Sequence, residues 1–315
     1  MTRRIIITGG AGYVGQILRS GLTAHGYEVD VFDRLAGPCV NLTRRRFLGT
    51  ARGAVGRCLA REIHDLQHRA EPALRKLGGI RPSWDDILDV RSHLSDRFRA
   101  SDAVIHLAGI PHPYAPRTVE DDFRRINYDG STNVFEAARD AGVRKFIFAS
   151  SMQVYRINDP WQITQFPIVE TNPCPSPADG QTAYGFLKLE VERYLSRASA
   201  AGGSTQAVAL RLEYPGFQST TSDNLYVSTS IENLVAGFRA ALETELDHGF
   251  ETFNLCDGQV APDVVDIQRF LRERWPDVPN YAVANGSVLS TEKARTLLGY
   301  RPMAGGTYYN ADVIW

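Results

Sequence analysis

Hydroxyl, phenol and amine side chains stand at two points of the chain where they could exchange a proton. The apolar run Lys145–Ser151 has the composition of a buried strand and ends in the hydroxyls of Ser150 and Ser151. Open parallel sheets bind their ligands at the carboxyl ends of the strands. Tyr184 opens a helical pattern and Lys188 follows four residues later, so both side chains lie on one helix face. This spacing predicts acid–base chemistry at a sheet edge, because a nearby ammonium group favours ionised tyrosine.

The alternative interpretation of this tyrosine–lysine pair is a surface contact on a helix. Lysine is scarce among the 35 basic residues, and the four lysines are Lys76, Lys145, Lys188 and Lys293. A pair at this spacing arises by chance about once in six chains of this composition. Chance would also have to supply the serine and glycine motifs upstream, which favours the functional interpretation.

A glycine-rich turn lies near the start of the chain, between a predicted strand and a predicted helix. Arg4–Thr8 is a β-branched run, and Glu28–Phe32 predicts a second strand that ends at Asp33. Glycines let the backbone approach a pyrophosphate, a helix N-terminus offers free N–H groups, and an acid about twenty residues on binds ribose hydroxyls. The order predicts a dinucleotide site formed by Gly9, Gly12, Tyr13, Val14, Gly15 and Asp33.

The acid at the end of the second strand predicts which dinucleotide is bound. Asp33 favours NAD, because the 2′-phosphate of NADP would meet a carboxylate there. The neighbouring Arg34 weakens this preference, since a guanidinium group can bind that phosphate through two hydrogen bonds. We expect NAD, and NADP stays possible.

Composition and charge exclude several classes of partner. The 315 residues carry 35 basic and 36 acidic side chains, so no overall field draws the chain to nucleic acid or to an anionic membrane. Four widely spaced cysteines and seven histidines show no metal or disulfide spacing, and no apolar run approaches the ~18 residues that span a bilayer. We expect a cytoplasmic protein that binds a small molecule and no metal.

Several motifs in order resemble the extended short-chain dehydrogenase/reductase family, the group of nucleotide-sugar epimerases, dehydratases and sugar dehydrogenases. They are Thr8–Gly15, Asp89–Arg91, His106–Gly109, Asn127–Ser131, Ser150–Tyr155, Tyr184 with Lys188, Leu210–Arg211, Phe253–Leu255 and Lys293–Pro302. The resemblance implies an α/β fold, a Rossmann-type doubly wound parallel sheet with a small C-terminal α/β substrate lobe. We place the NAD domain at 1–211 and the lobe at 212–315, with about 228–249 packing back on the first domain. A homodimer is also expected.

The same resemblance assigns roles to individual residues. Tyr184 is the base, Lys188 is the cation that also holds the nicotinamide ribose, and Ser151 holds the substrate oxygen. Further cofactor residues are Asp89 and Val90 at the adenine, Leu107, Ala108 and Gly109 along the cofactor, Asn127, and Tyr214. Substrate contacts are assigned to His112, Ser151, Met152, Gln153 and Tyr214. His112 has the alternative of being an exposed loop residue.

Three departures from the family pattern bear on the reaction. Family dehydratases carry an acidic pair where this chain has Met152 and Gln153, which argues against elimination of water. Epimerases have a longer substrate segment where this chain has only Leu212 to Leu225, and Tyr214 stands at the place of their asparagine.

The order and spacing of the motifs in this chain are most similar to those of uronate and aldose dehydrogenases. We expect hydride transfer at a carbinol or ketone carbon of a sugar-like substrate, with an epimerase that holds NAD tightly and a non-catalytic cofactor-binding protein as alternatives.

A basic insertion separates the second strand from the adenine motif. About thirty residues more than usual lie there, in a helical pattern at about 38–80. Ten basic and three acidic residues fall between Arg44 and Arg81. A solvated amphipathic helix or dimer contact is one interpretation, and a phosphate-rich ligand or an acidic partner is the other.

Overall fold

The computed structural model describes residues 3–33, 86–111, 120–157, 163–222, 225–259, 266–280 and 286–309. The basic insertion, Arg34 and His112 lie outside these ranges, so what was expected of them stays a prediction. Within the described ranges, no helix is both long enough and apolar enough to cross a membrane.

Six parallel strands form one sheet in the order β2-β1-β3-β4-β5-β6. Their bounds are β1 Arg4–Thr8, β2 Glu28–Phe32, β3 Ala103–His106, β4 Lys145–Ser151, β5 Gln206–Leu212 and β6 Phe250–Leu255. Parallel strands need crossover connections that cover both faces of the sheet, so the central strand β3 is buried along its whole length, whereas the edge strand β2 keeps Glu28 and Asp30. The sheet confirms the Rossmann-type α/β fold that the sequence predicts.

Helices cover both faces of the sheet. Their bounds are α1 Tyr13–Ala24, α2 Arg91–Phe98, α3 Glu120–Phe123, α4 Gly130–Asp140, α5 Ala183–Ala200, α6 Ile231–Glu243, α7 Ile267–Arg274 and α8 Glu292–Leu297. A π-helical turn, Arg124–Asp129, joins α3 to α4. Alternate residues of β1 enter opposite cores: Ile5 and Ile7 pack with α1 and α6, and Ile6 packs with α2, α4 and α5. This alternation follows from the two-residue period of a strand.

The C-terminal part of the chain returns to the sheet. Helix α6 packs on α1, where a Cβ on Gly21 would overlap the side chain of Val235. Strand β6 pairs with β5 from Ala207 opposite Phe250 onwards. Helix α6 and strand β6 therefore both contact elements that begin before residue 211. The domain division expected at residue 211 stays a prediction.

A second apolar cluster, the lobe core, lies beyond the carboxyl edge of the sheet. It joins Met152, Tyr155 and Phe166 to Leu271 and Trp275 of the C-terminal part. The lobe core thus draws on chain segments from both sides of the expected boundary, because residues that leave β4 turn away from the sheet into the lobe.

A buried polar network connects β4, α5 and β5. The Arg211 guanidinium pairs with the Glu192 carboxylate at 2.6 Å, and both side chains are almost inaccessible, at 6% and 4% exposed. Ser150 Oγ donates to Glu192 Oε1 at 2.5 Å, and Arg211 Nη1 donates to the Tyr155 hydroxyl at 2.5 Å. The network holds α5 against two adjacent strands.

We predict that Glu192→Gln lowers the free energy of unfolding by about 3 kcal/mol, because it leaves a buried guanidinium group without a counter-charge. The matched control is Glu190→Gln on the same helix, which breaks an ion pair with Arg193. That control should cost less than about 0.5 kcal/mol, since the pair is solvent-accessible. Urea denaturation of the three proteins measures both values, and equal losses in the two variants would contradict the assignment.

Candidate active site

Strand β4 and helix α5 bring three side chains together at the carboxyl edge of the sheet. Ser151 is the last residue of β4, and its Oγ accepts a hydrogen bond from the backbone N–H of Gln153 at 3.1 Å. Thr182 caps α5 by accepting from the N–H of Gly185 at 3.1 Å, which sets the helix to begin just before Tyr184. The Tyr184 hydroxyl is hydrogen-bonded to the Ser151 side chain. The structure thus brings Ser151 and Tyr184 together, and the roles assigned to them stay predictions.

Burial dominates the ionisation of the Tyr184 phenol. Loss of water raises the pKa of Tyr184 well above its ordinary value, and the hydrogen bond from Ser151 opposes this effect. The charges of Glu213 and Tyr13 raise the same pKa further. The sequence predicts that Lys188 lowers this pKa, but the groups that act on Tyr184 here are Ser151, Glu213 and Tyr13, and burial raises the pKa. Additional positive charge must therefore enter the site before the phenolate becomes stable.

Lys188 occupies the inner side of the same helix face. Its Nζ donates to the Ala149 carbonyl oxygen at 2.7 Å and lies 4.6 Å from the centroid of the Phe148 ring and 5.8 Å from that of Tyr184. Burial lowers the pKa of Lys188 to about 8, and the nearby Glu192 carboxylate opposes the shift. The side chain therefore remains an ammonium group at neutral pH.

The glycine-rich turn between β1 and α1 is shaped for close approach of a ligand. Gly9 has a φ of +73°, and a Cβ there would lie 2.6 Å from the backbone nitrogen of Ala108. A Cβ on Gly15 would overlap Gly10. Gly10 therefore also belongs to the turn, although it was not among the residues predicted for the dinucleotide site. Within the described residues, no side chain caps Gly12 at the start of α1. The N–H groups of Tyr13 and Val14 would therefore be available to the pyrophosphate of NAD.

Asp33 closes the turn from the end of β2. Its Oδ2 accepts a hydrogen bond from the backbone N–H of Ala11 at 2.9 Å. The carboxylate therefore lies beside the glycine-rich turn, where an acid binds the ribose hydroxyls of NAD. Asp33, the open turn and the glycines fit the cofactor that the sequence predicts.

The adenine-side residues lie on the loop before α2. Asp89 Oδ1 accepts from the N–H of Val90 at 2.8 Å, and the Val90 side chain is 62% exposed. An exposed apolar side chain beside a carboxylate suits the face and edge of a purine. Asn133 of α4 holds this loop, because its amide donates to the carbonyl oxygens of Ile87 and Asp89 at 2.9 and 3.0 Å. No local pattern distinguishes Asn133 in the sequence.

Asn127 holds the loop that follows β3. Its Oδ1 accepts from the N–H of Ile110 at 2.7 Å and its Nδ2 donates to the Ile110 carbonyl at 3.1 Å. A Cβ on Gly109 would lie 3.0 Å from Asn127 Oδ1. The buried amide thereby positions the backbone of Ile110, directly after Gly109, and the cofactor role expected for Asn127 stays a prediction.

The residues proposed for substrate contact occupy different environments. Met152 is fully buried in the lobe core, so its side chain packs with apolar residues and does not line an open pocket. Tyr214 is 44% exposed with a φ of +43°, and its charge acts on Tyr13. Gln153 is hydrogen-bonded to Glu213. Gln153 and Tyr214 therefore remain beside the site, and Met152 does not.

Glu213 is the site residue that the sequence analysis missed. It follows β5 directly and is only 7% exposed. Burial raises the pKa of Glu213 to about 8, and the hydrogen bond from Gln153 opposes this shift. The available signal was an acid placed immediately after a buried strand at the carboxyl edge, which is where ligands bind.

The fold and this site define a class: a Rossmann-type dinucleotide-binding protein with the serine, tyrosine and lysine of short-chain dehydrogenases/reductases. A family model, described as the NAD dependent epimerase/dehydratase family, matches residues 5–239. The chain belongs to that family. The family description names NAD, which confirms the cofactor predicted from Asp33 and the glycine-rich turn.

Individual relatives and solved structures are similar to this chain. The UDP-glucose 4-epimerase of Erwinia amylovora is 31% identical over 216 residues, covering 67% of this chain and 53% of that protein. MoeE5 in complex with UDP-glucuronic acid and NAD has a TM-score of 0.62 at 19% identity, covering 96% of this chain and 94% of MoeE5. A mutated uronate dehydrogenase has a TM-score of 0.61 at 18% identity, covering 96% and 82%. The chain spans about half the length of the curated relatives it matches.

We predict that Asp33→Asn weakens NADH binding about tenfold, because a neutral amide replaces the charged acceptor of the ribose hydroxyls. The same variant should lose part of its discrimination against NADPH, since the carboxylate that repels the 2′-phosphate is gone. Fluorescence titration with the two nucleotides measures both effects. Asp30→Asn is the control, because Asp30 pairs with Arg4 at 2.6 Å. Equal losses of NADH affinity in the two variants would contradict the assignment of Asp33 to the cofactor site.

Proposed function

We propose that this protein is an NAD-dependent enzyme that transfers a hydride at a carbinol or ketone carbon of a sugar or sugar-like substrate. The observation that carries the proposal is the contact between Ser151 and Tyr184, with Lys188 one helical turn behind. A carbinol carbon releases a hydride only as its hydroxyl loses a proton, so the reaction needs a base at that oxygen.

The chain's own residues divide this work between them. Ser151 Oγ holds the substrate oxygen, and Tyr184, as the phenolate, accepts the hydroxyl proton as the carbonyl forms. Lys188 supplies positive charge behind the phenol and, by the family resemblance, holds the nicotinamide ribose. Burial of Tyr184 and Lys188 excludes water, which strengthens each of these electrostatic contacts. NAD, held by the glycine-rich turn and Asp33, supplies the hydride acceptor.

The chain segment after β5 supports a small substrate. Gly216 donates to the Thr229 carbonyl at 2.7 Å, so the chain folds back shortly after leaving the sheet. Phe217 packs edge-on against Tyr13, with ring centroids 5.2 Å apart. This short return leaves little chain to hold a nucleotide diphosphate, and it places aromatic side chains beside the cofactor turn. A bare sugar, as the name of the related uronate dehydrogenase indicates for that enzyme, is the substrate class we favour.

An epimerase is the second candidate function, and the curated relatives favour it. UDP-glucose 4-epimerases are 28–31% identical to this chain. The same three residues serve both reactions, because an epimerase removes a hydride and returns it to the opposite face of the sugar. A cofactor-binding protein without turnover is a third candidate, disfavoured by the intact site. A cytoplasmic homodimer remains our prediction.

Tyr184→Phe should reduce hydride transfer by about 10²-fold or more, because the substrate hydroxyl loses its proton acceptor. NADH binding should persist, since the ring and Lys188 remain. The matched control is Tyr194→Phe on the same helix, whose hydroxyl donates to Glu136 at 2.9 Å away from the site. Reduced cofactor is followed at constant NAD with uronic acids, aldoses and nucleotide sugars, and undiminished turnover in Tyr184→Phe would overturn the proposal.

The product separates the two enzymatic candidates. A dehydrogenase should accumulate NADH in proportion to the oxidised sugar, because the hydride stays on the cofactor. An epimerase should invert one sugar centre with no net NADH, because the hydride returns. Sugar configuration by nuclear magnetic resonance and NADH by absorbance, measured in one reaction mixture, decide between them. Inversion without NADH would overturn the dehydrogenase.

A further inference from the structure

Glu213 leaves the sheet beside the catalytic serine. Strands β4 and β5 pair with Ser151 opposite Leu212, the last residue of β5. Glu213, the residue that follows β5, therefore emerges at the carboxyl edge of the sheet next to the site. Its backbone is held there, because Thr229 Oγ1 donates to the Glu213 carbonyl oxygen at 3.0 Å. The position of Glu213 is therefore set by the same strand pairing that places Ser151.

The Glu213 carboxyl lies between the cofactor turn and the catalytic tyrosine. Its charge acts on Tyr13 of α1 and on Tyr184 of α5, and its side chain receives a hydrogen bond from Gln153. These three residues come from three different elements that surround the site. The carboxyl is thus part of the reaction centre, although the mechanism above gives it no task.

Glu213 has no cationic partner among the residues that the structure describes. The other buried glutamate at this edge, Glu192, pairs with Arg211, whereas Glu213 has the neutral Gln153 amide. A carboxylate that is buried without a counter-charge is costly. A bound cation beside the Glu213 carboxylate would remove this cost.

We propose that Glu213 is the counter-charge of the oxidised nicotinamide ring, so that the site binds NAD⁺ in preference to NADH. The proposal rests on the cofactor role of the site in the function proposed above. By the family resemblance Lys188 would hold the nicotinamide ribose, and the Glu213 charge acts on Tyr184, one helical turn before Lys188. The oxidised ring carries a positive charge that the reduced ring lacks, which gives the carboxylate a differential interaction with the two forms. A cationic group on the substrate is the competing occupant.

The test compares dissociation constants of NAD⁺ and NADH by calorimetry, with no sugar present. At about pH 9 the Glu213 carboxyl is mostly ionised, because its pKa is about 8. Lys188, whose pKa is also about 8, loses its charge over the same range, so the preference is compared with that of Glu213→Gln at the same pH. The wild-type protein should bind NAD⁺ about tenfold more tightly than NADH, as expected for one partly buried charge pair. Equal affinities, or tighter binding of NADH, would overturn the proposal and leave Glu213 to a substrate cation.

Variants assign the preference to this side chain. Glu213→Gln should weaken NAD⁺ binding about tenfold and leave NADH binding unchanged, since only the charge is lost. Glu213→Asp keeps the carboxylate and should retain part of the preference. Glu190→Gln removes a charge from the surface of α5 and should change neither constant. Equal weakening of both nucleotides in Glu213→Gln would show a merely structural role.

Failure of the proposed function gives a different result. If no sugar is turned over but the NAD⁺ preference depends on Glu213, the hydride-transfer proposal fails and the assignment of Glu213 stands. If sugars are oxidised and the NAD⁺ preference is absent, the hydride-transfer proposal stands and the assignment of Glu213 fails. The nucleotide constants and the turnover assay are therefore independent measurements of the two proposals.

Discussion

The buried ion pair between Arg211 and Glu192 determines where helix α5 lies against the sheet. Tyr184, Lys188 and Glu192 are spaced by four residues, so they form one stripe along the helix. Pairing Glu192 with a guanidinium of β5 anchors the far end of that stripe. Ser150 of β4 donates to the same carboxylate, while Ser151, the next residue, is bonded to Tyr184. Ser150 and Ser151, adjacent residues of β4, thus contact two different side chains of α5: Ser150 contacts Glu192, and Ser151 contacts Tyr184.

Burial has opposite consequences for the ionisable groups around this stripe. It raises the pKa values of Tyr184 and Glu213 and lowers that of Lys188, because each charged form loses water. Without a ligand, the site therefore favours neutral phenol and neutral carboxyl. A bound cofactor that carries positive charge would oppose both preferences. Binding of an oxidised nicotinamide would thus prepare the base, which makes charge complementarity part of the chemistry as well as of affinity.

The lobe limits what else can enter the site. Among the described residues, those that follow β4 and those that follow β5 both turn into the lobe core. Met152 belongs to the lobe core, whereas Gln153, its neighbour, faces Glu213. Where family dehydratases carry an acidic pair, this chain has a buried apolar residue and an amide, and its carboxyl comes from the neighbouring strand.

The sequence by itself determined the parts of the site that depend on local spacing. Glycines that a turn requires, an acid at the end of β2, a serine that ends β4, and a tyrosine and lysine one helical turn apart are all visible as short patterns. The Rossmann sheet follows from the alternation of such strands and helices.

Only the tertiary structure decided which distant residues meet. Asn133 of α4 supports the loop that contains Asp89 and Val90. Glu213 meets Gln153 because strands β4 and β5, which lie about sixty residues apart in the chain, pair with each other. The directions of the pKa shifts belong to this second group, because they depend on how completely neighbouring elements exclude water. A pattern of residue types specifies which side chains are available, whereas packing sets their surroundings and hence their charge.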